Sequence, residues 1–265
     1  GMRNYRIRMS RPPTFAPTDR HLSAYLIGVL IGDGGLTRDT PTVAIGDGKE
    51  DMHELLRKEL PEGLRIVGGE GSRTWRLSGG RGPRPNSITV ELRRCGLMGK
   101  YSYEKSIPSD YLYASYEDRI ALLQGLMDSD GSPGAKQGAR FVTTSYALAL
   151  DVQELIWSLG GKGHITARKP SWYYVRKNGR RTTTRKTTRP SWEVYCSLNY
   201  GIVPFRLPRK VEQYRPTVKP FVRTIAKIEA AGIEECQCLL VDSDEHLYIT
   251  DDYLVTHNTR DPAGA

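Results

Sequence analysis

The chain repeats itself. Residues 26–34 read LIGVLIGDG and residues 123–131 read LQGLMDSDG. Each nonapeptide has Leu first, Gly third, Asp eighth and Gly ninth, which sets Asp33 and Asp130 97 positions apart. The same offset carries on: TVAI at 42–45 falls on ARFV at 139–142, and KEDMHELLRKEL at 49–60 on YALALDVQELIW at 146–157. Met52, Leu55 and Leu60 align with Ala149, Val152 and Trp157 as apolar positions. A fixed offset held over several elements marks a tandem repeat of one unit.

Each unit reads alike. An apolar helix comes first, with Thr18 or Asp19 to cap it in the first copy and Ser115 or Glu117 near its start in the second. A Gly turn, a strand, an amphipathic helix and a basic hairpin follow. In the second unit WYYVRKNGRRTTTR centres on Asn178-Gly179, the signature of a two-residue type I′ turn. In the first, RTWRLSGGRGPRPNSITVELRR places a longer Gly/Pro loop between two strands.

Gly28 and Gly32 lie four apart, as do Gly125 and Ser129, so each pair shares one helix face. Glycine in a helix interior costs about 1 kcal/mol, and paying that twice at matching places argues for close packing of the two copies. Asp33 and Asp130 then meet at adjacent helix ends. Two carboxylates in one place repel unless a cation lies between them. Magnesium suits such a pair, bound by few carboxylates, backbone carbonyls, waters and phosphate oxygens, and this is an arrangement for phosphodiester hydrolysis. A calcium loop starting at Asp128 requires Glu at its twelfth position, which is Ala139. Paired acids also serve glycosidases, but two basic hairpins are a poor surface for neutral sugars. GDGG at 32–35 lacks the Lys-Ser/Thr of a phosphate-binding loop.

Net charge is +9 over 265 residues, and it is clustered. Residues 168–189 hold Arg168, Lys169, Arg176, Lys177, Arg180, Arg181, Arg185, Lys186 and Arg189 with no acid. Residues 73–94 hold Arg73, Arg76, Arg81, Arg84, Arg93 and Arg94 against Glu91. A polyanionic partner is expected. The longest apolar run, AYLIGVLIG, ends at Asp33, too short for a membrane span. No signal-peptide pattern is present, and Gly1-Met2 reads as a tag remnant before a start residue. Cys95, Cys196, Cys236 and Cys238 form no paired C-x-x-C clusters, so reduced thiols and a cytoplasmic setting are expected.

The two repeats resemble the motif helices of LAGLIDADG homing endonucleases, over about residues 22–215. Ile31 replaces the first acid of the motif in the first copy; the terminal acid is kept in both. The resemblance implies an α+β monomer of pseudo-two-fold tandem αββαββα units, with saddle-shaped antiparallel sheets straddling duplex DNA. It implies metal at Asp33 and Asp130, with Gly32 and Ser129 beside them, the metal being Mg2+ or Mn2+, with Ca2+ as a non-cleaving substitute. A lysine before Ile-Pro belongs to the same pattern; EKSIP supplies Lys105, and Lys210 is its counterpart by symmetry. Such cations polarise water or stabilise the transition state. DNA contacts are expected from Arg73, Arg76, Arg81, Arg84, Arg93, Arg168, Lys169, Arg176, Lys177, Arg180, Arg181 and Arg185.

The tail, ECQCLLVDSDEHLYITDDYLVTHNT, resembles the C-terminal splicing blocks of inteins. The resemblance implies a small all-β fragment of a splicing (Hint) domain. In it Asn258 cyclises on its own carbonyl, His246 and His257 move or orient protons, and Thr259 is the first residue of the host protein. Cys238 together with Thr256 is similar to the class 3 pattern, with Cys238 as first nucleophile. The boundaries expected are a basic arm at 1–20, nuclease halves at 21–105 and 106–220, a splicing fragment at 221–258 and host residues at 259–265. The splicing activity of this chain is expected to be incomplete, for want of an N-terminal splicing half. The partners expected are double-stranded DNA and the host protein in cis, with no membrane. A DNA-binding module with a decayed nuclease, and a chain whose main activity is splicing, remain as alternatives.

Overall fold

The computed structural model describes residues 5–46, 50–68, 72–79, 85–177, 180–217, 222–225, 227–230, 232–233, 235, 239–242 and 244–257. The chain runs β1 (Arg6–Arg8), α1 (Ala24–Gly32), β2 (Gly34–Gly35), β3 (Thr42–Ala44), α2 (Glu50–Glu59), β4 (Leu64–Val67), β5 (Thr74–Gly79) and α3 (Ser87–Arg94). After the short α4 (Ser109–Leu112) come α5 (Tyr116–Asp130), β6 (Gly131–Pro133), β7 (Ala139–Thr143), α6 (Tyr146–Ser158) and β8 (Lys162–Arg168). Then follow β9 (Trp172–Lys177), β10 (Arg180–Thr187), β11 (Ser191–Ser197), α7 (Pro208–Gln213), β12 (Val222–Thr224), β13 (Leu247–Ile249) and β14 (Val255–His257).

The first half runs αββαββα, and the second follows the same order with the β9–β10 hairpin inserted between β8 and β11. The first half forms an antiparallel sheet ordered β2-β3-β5-β4, and the second forms one ordered β6-β7-β11-β8. The matching order identifies β5 with β11. Gly34 pairs with Val43 and Gly131 with Phe141, so Val43 and Phe141 are equivalent at an offset of 98, not the 97 that the helices share. The slip matters because successive side chains in a strand face opposite ways. At an offset of 97, Val43 would match Arg140; both Val43 and Phe141 are in fact buried.

Helix α1 is apolar all round and is buried from Ala24 to Ile31. Its cap is Ser23, not Thr18 or Asp19: the Ser23 side chain accepts the Leu26 N–H. Thr18 instead donates to the Asp110 carbonyl (2.6 Å). Ser115 caps α5, accepting the Asp118 N–H at 3.2 Å, and Glu117 and Asp118 favour its positive end.

The stretch read as a second strand, SITVELRR, is the helix α3. Asn86 accepts the Thr89 N–H at 2.9 Å, a side-chain cap that starts a helix. Ile88 and Leu92, four apart, then face the core. The long Gly/Pro loop therefore joins β5 to a helix, and β5 pairs backwards with β3 and β4. In the second half the hairpin β9–β10 is as expected, with Lys177 opposite Arg180; the Asn178-Gly179 turn itself lies outside the described residues.

Residues 6–13 are tied to the rest of the chain. β1 pairs with β12, Met9 bridges Leu254, and the Ser10 N–H donates to the Tyr253 carbonyl at 2.9 Å. Fully buried Arg119 donates to the carbonyls of Pro13 (2.5 Å), Ser158 (2.6 Å) and Ala114 (3.1 Å), which staples residues 13–15 to the second half. Among the described residues no helix is long and apolar enough to cross a membrane.

Candidate active site at the joined helix ends

Helices α1 and α5 touch backbone to backbone. A Cβ on Gly28 would lie 2.9 Å from the Leu126 nitrogen and 3.0 Å from the Gly125 Cα; one on Gly125 would lie 2.9 Å from the Val29 nitrogen. At the last turn Gly32 faces Ser129, and a Cβ there would come within 3.4 Å of the Asp130 Oδ2. The glycines exist because the axes are too close for side chains. The contact brings the two carbonyl ends side by side, with Asp33 capping α1 and Asp130 ending α5.

Two buried lysines hold those ends. The Lys105 ammonium donates to the carbonyls of Gly34 (2.7 Å), Ile31 (2.8 Å) and Leu30 (3.1 Å). The Lys210 ammonium donates to Met127 (2.7 Å), Asp128 (2.8 Å) and Gly131 (2.8 Å). Cations at helix C-termini answer the partial negative charge of the last carbonyls. Burial pushes Lys105 down to about 8, and the charges of Asp130 and Asp33 push it back up. Both carboxylates are thus within electrostatic reach of one ammonium.

Asp128 plays a different part from Asp130. It is fully buried, and it accepts from the Tyr25 hydroxyl (2.9 Å) and from the N–H groups of Arg206 (3.0 Å) and Leu207 (3.2 Å). Burial raises its pKa, and those hydrogen bonds oppose the rise. It ties α5 to α1 and to the segment before α7. Ile31, also buried, stands at its place in the first copy.

Oxygen is the donor type on offer: two carboxylates and the carbonyls beside them. The Ser129 hydroxyl is spent on Leu126 (2.8 Å) and Gly125 (3.0 Å), which leaves its carbonyl as the donor. Among the described residues no group of three or more His, Cys, Asp or Glu can hold a metal. The set fits a hard divalent cation that keeps waters and takes phosphate oxygens; it does not fit an all-protein cage.

The basic residues separate into groups. Arg76 and Arg168 lie on the sheet faces turned away from the core, exposed. Arg73 and Lys169 are exposed beside strand ends. Arg185 is on the hairpin, its guanidinium 4.2 Å from the Trp172 ring centre and 2.9 Å from the Tyr174 hydroxyl. Arg93 is exposed on α3, off the sheet on which the sequence reading put it. Arg81 and Arg84, and the side chains of Arg176, Lys177, Arg180 and Arg181, lie outside the described residues.

Alternation along the strands adds residues missed in the sequence: Arg65 on the first sheet, and Arg140, His164, Thr166, Glu193 and Tyr195 on the second. Val43, Leu77, Phe141, Val194 and Cys196 take the buried face. Strand parity was the signal that would have found the others.

In the tail, β13 pairs with β14, setting Leu247 opposite His257 and Tyr248 opposite Thr256. The rings of His246 and His257 are 6.1 Å apart. The hairpin is anchored to α6 through the Tyr253 hydroxyl, which donates to Glu154 at 2.9 Å. Cys238, Asn258 and Thr259 lie outside the described residues.

Among known proteins, a replicative DNA helicase DnaB of Mycobacterium intracellulare is 30% identical over 179 residues, which is 65% of this chain and 28% of that protein. A replicative DNA helicase DnaB of Rhodothermus marinus is 30% identical over 111 residues, 38% of this chain and 12% of that protein. The chain thus spans about a quarter or less of these relatives. Mesophilic variants of the homing endonuclease I-DmoI overlap 66% of this chain and 88% of theirs at 18% identity and a TM-score of 0.42. I-DmoI in complex with DNA and Ca overlaps 72% and 94% at 16% identity and a TM-score of 0.43. Residues 117–189, from the first turn of α5 to just past β10, match the model of the LAGLIDADG-like domain family.

Proposed function

We propose that this chain is an intein-borne homing endonuclease that hydrolyses both strands of a long, asymmetric duplex site. The observation that carries the proposal is the convergence of Asp33, Asp130 and buried Lys105 where α1 and α5 meet. Asp33 and Asp130, with the carbonyls of Gly32 and Ser129, would hold a divalent cation, and when bound it would supply neutralisation of phosphate charge and a more acidic water. Lys105 and Lys210 hold the two helix ends and so keep the carboxylates together. The basic, outward sheet faces and the β9–β10 hairpin bind the sugar-phosphate backbone and base edges. The pseudo-two-fold body acts as a monomer in the cytoplasm.

The C-terminal segment belongs to a protein-splicing domain. The approach of the His246 and His257 rings to 6.1 Å, just before Asn258, supports this, as do Ile228, Ile233 and Leu240, apolar side chains that stand exposed among the described residues. The DnaB relatives suggest a DnaB helicase as the host. The test is to incubate the chain and magnesium with a duplex spanning the DnaB coding sequence joined without the insert. A double-strand cut near the junction is expected; an intact duplex under conditions where the chain binds it would leave a DNA-binding module whose nuclease has decayed.

A further inference from the structure

Among the described strands of the two four-stranded sheets and the β9–β10 hairpin there is one acid, Glu193. It sits on β11, an interior strand, between Val142 of β7 and Thr166 of β8. Its parity is that of Tyr195 and opposite to that of buried Val194 and Cys196, so it faces outward with Arg140, His164 and Arg168. Two guanidinium groups flank it: Arg140 Nη1 is 3.9 Å and Arg168 Nη1 is 3.8 Å away. Both distances exceed direct hydrogen-bonding reach. The carboxylate is thus held between two cations without spending its acceptor capacity on either.

Fold stability does not require an acid here. Exposed ion pairs of this length contribute little. In the first sheet the equivalent position, opposite Ala44 as Glu193 is opposite Val142, is Thr74. On a face that meets phosphates, a lone carboxylate weakens binding unless it meets a donor. The major groove offers two amino donors, adenine N6 and cytosine N4. Adenine sets its N7 acceptor beside the amino group, where a carboxylate is repelled; cytosine has no acceptor on that edge. The guanine paired with the cytosine presents O6 and N7, which suit an arginine.

Resting on the DNA-cleaving function proposed above, we infer that Glu193 is a specificity-determining residue that accepts the N4 amino group of a cytosine, with Arg140 and Arg168 placed for guanine or phosphate on either side. The experiment is selection of bound duplexes from a randomised library, in calcium, followed by sequencing. The wild-type chain is expected to select cytosine at one position where Glu193→Ala selects about 10-fold less sharply, the other positions being unchanged. Glu193→Gln, with an amide that donates and accepts, is expected to move that position towards adenine. Wild-type profiles in both variants, or an equal loss at every position, would overturn the inference while leaving DNA reading intact. A wild-type chain that enriches no sequence overturns the proposed function, and the inference with it.

Discussion

Lys105 and Lys210 close the carbonyl ends of different central helices, Lys105 that of α1 and Lys210 that of α5. Each reaches its helix from a segment outside it: Lys105 from the link between the halves, Lys210 from α7. The link is itself fixed by α6, where the Ser145 hydroxyl donates to the Lys105 carbonyl (2.7 Å) and Asp151 accepts the Ile107 N–H (2.7 Å).

Replacing Lys105 by Met leaves the carbonyls of Leu30, Ile31, Gly32 and Gly34 without this donor and costs roughly 2–3 kcal/mol. The pH dependence has a definite sign. The folded-state value of about 8 lies below the ordinary 10.5, so the unfolded chain binds more protons between those values. Wild-type stability therefore rises with pH across that window relative to Lys105→Met. Denaturant midpoints of both proteins at pH 7.5 and 10, roughly the ends of that window, check this; a constant difference would contradict it.

Asp33→Asn and Asp130→Asn each remove one charge at the site while keeping its shape. Cleavage of the joined DnaB duplex is expected to fall by more than about 100-fold in either variant, with affinity for the same DNA within a few-fold of wild type. Gel-shift and nicking assays on one preparation separate the two effects. Cleavage retained by both variants would remove Asp33 and Asp130 from the chemistry.

Gly28→Ala and Gly125→Ala drive a methyl group into backbone of the opposite helix. Each is expected to destabilise by at least ~1–3 kcal/mol, because backbone cannot step aside as a side chain can. Gly46→Ala, with nothing near its Cβ, is the control and is expected to stay close to wild type in thermal melts.

Glu91 predicts the acid limb. Hydrogen bonds from Arg94 hold its carboxyl down at about 2 against burial, with Tyr111 adding to them. A lowered carboxylate stabilises the fold fully above its ordinary value near 4.5, and that contribution is lost as pH falls towards 2. Glu91→Gln should cost roughly 2 kcal/mol at pH 7 and flatten the stability profile between pH 4.5 and 2. Circular dichroism at fixed urea and graded pH reads both.

The central helices and their acids were legible in the sequence because glycine at i and i+4, twice over, has few explanations besides contact. Lys210 followed from symmetry once Lys105 was placed. SITVELRR misled because Ile, Thr and Val favour strands, whereas Asn86, the residue that decides for helix, precedes the run. The outward residues of the second sheet were hidden for a related reason: Arg140, His164 and Tyr195 are scattered through three strands, and only pairing register collects them. The pairing of β1 with β12 joins segments more than 200 residues apart, and no local pattern announces such a contact.

Arg8 and Val222 are direct partners across a strand pair, so everything between them departs from and returns to one spot. The body is a loop closed at its base. A module whose entry and exit coincide can be set into another protein, or taken out of it, without displacing the chain on either side. In mechanical terms the strand pair is a clasp that draws the two ends of the body together.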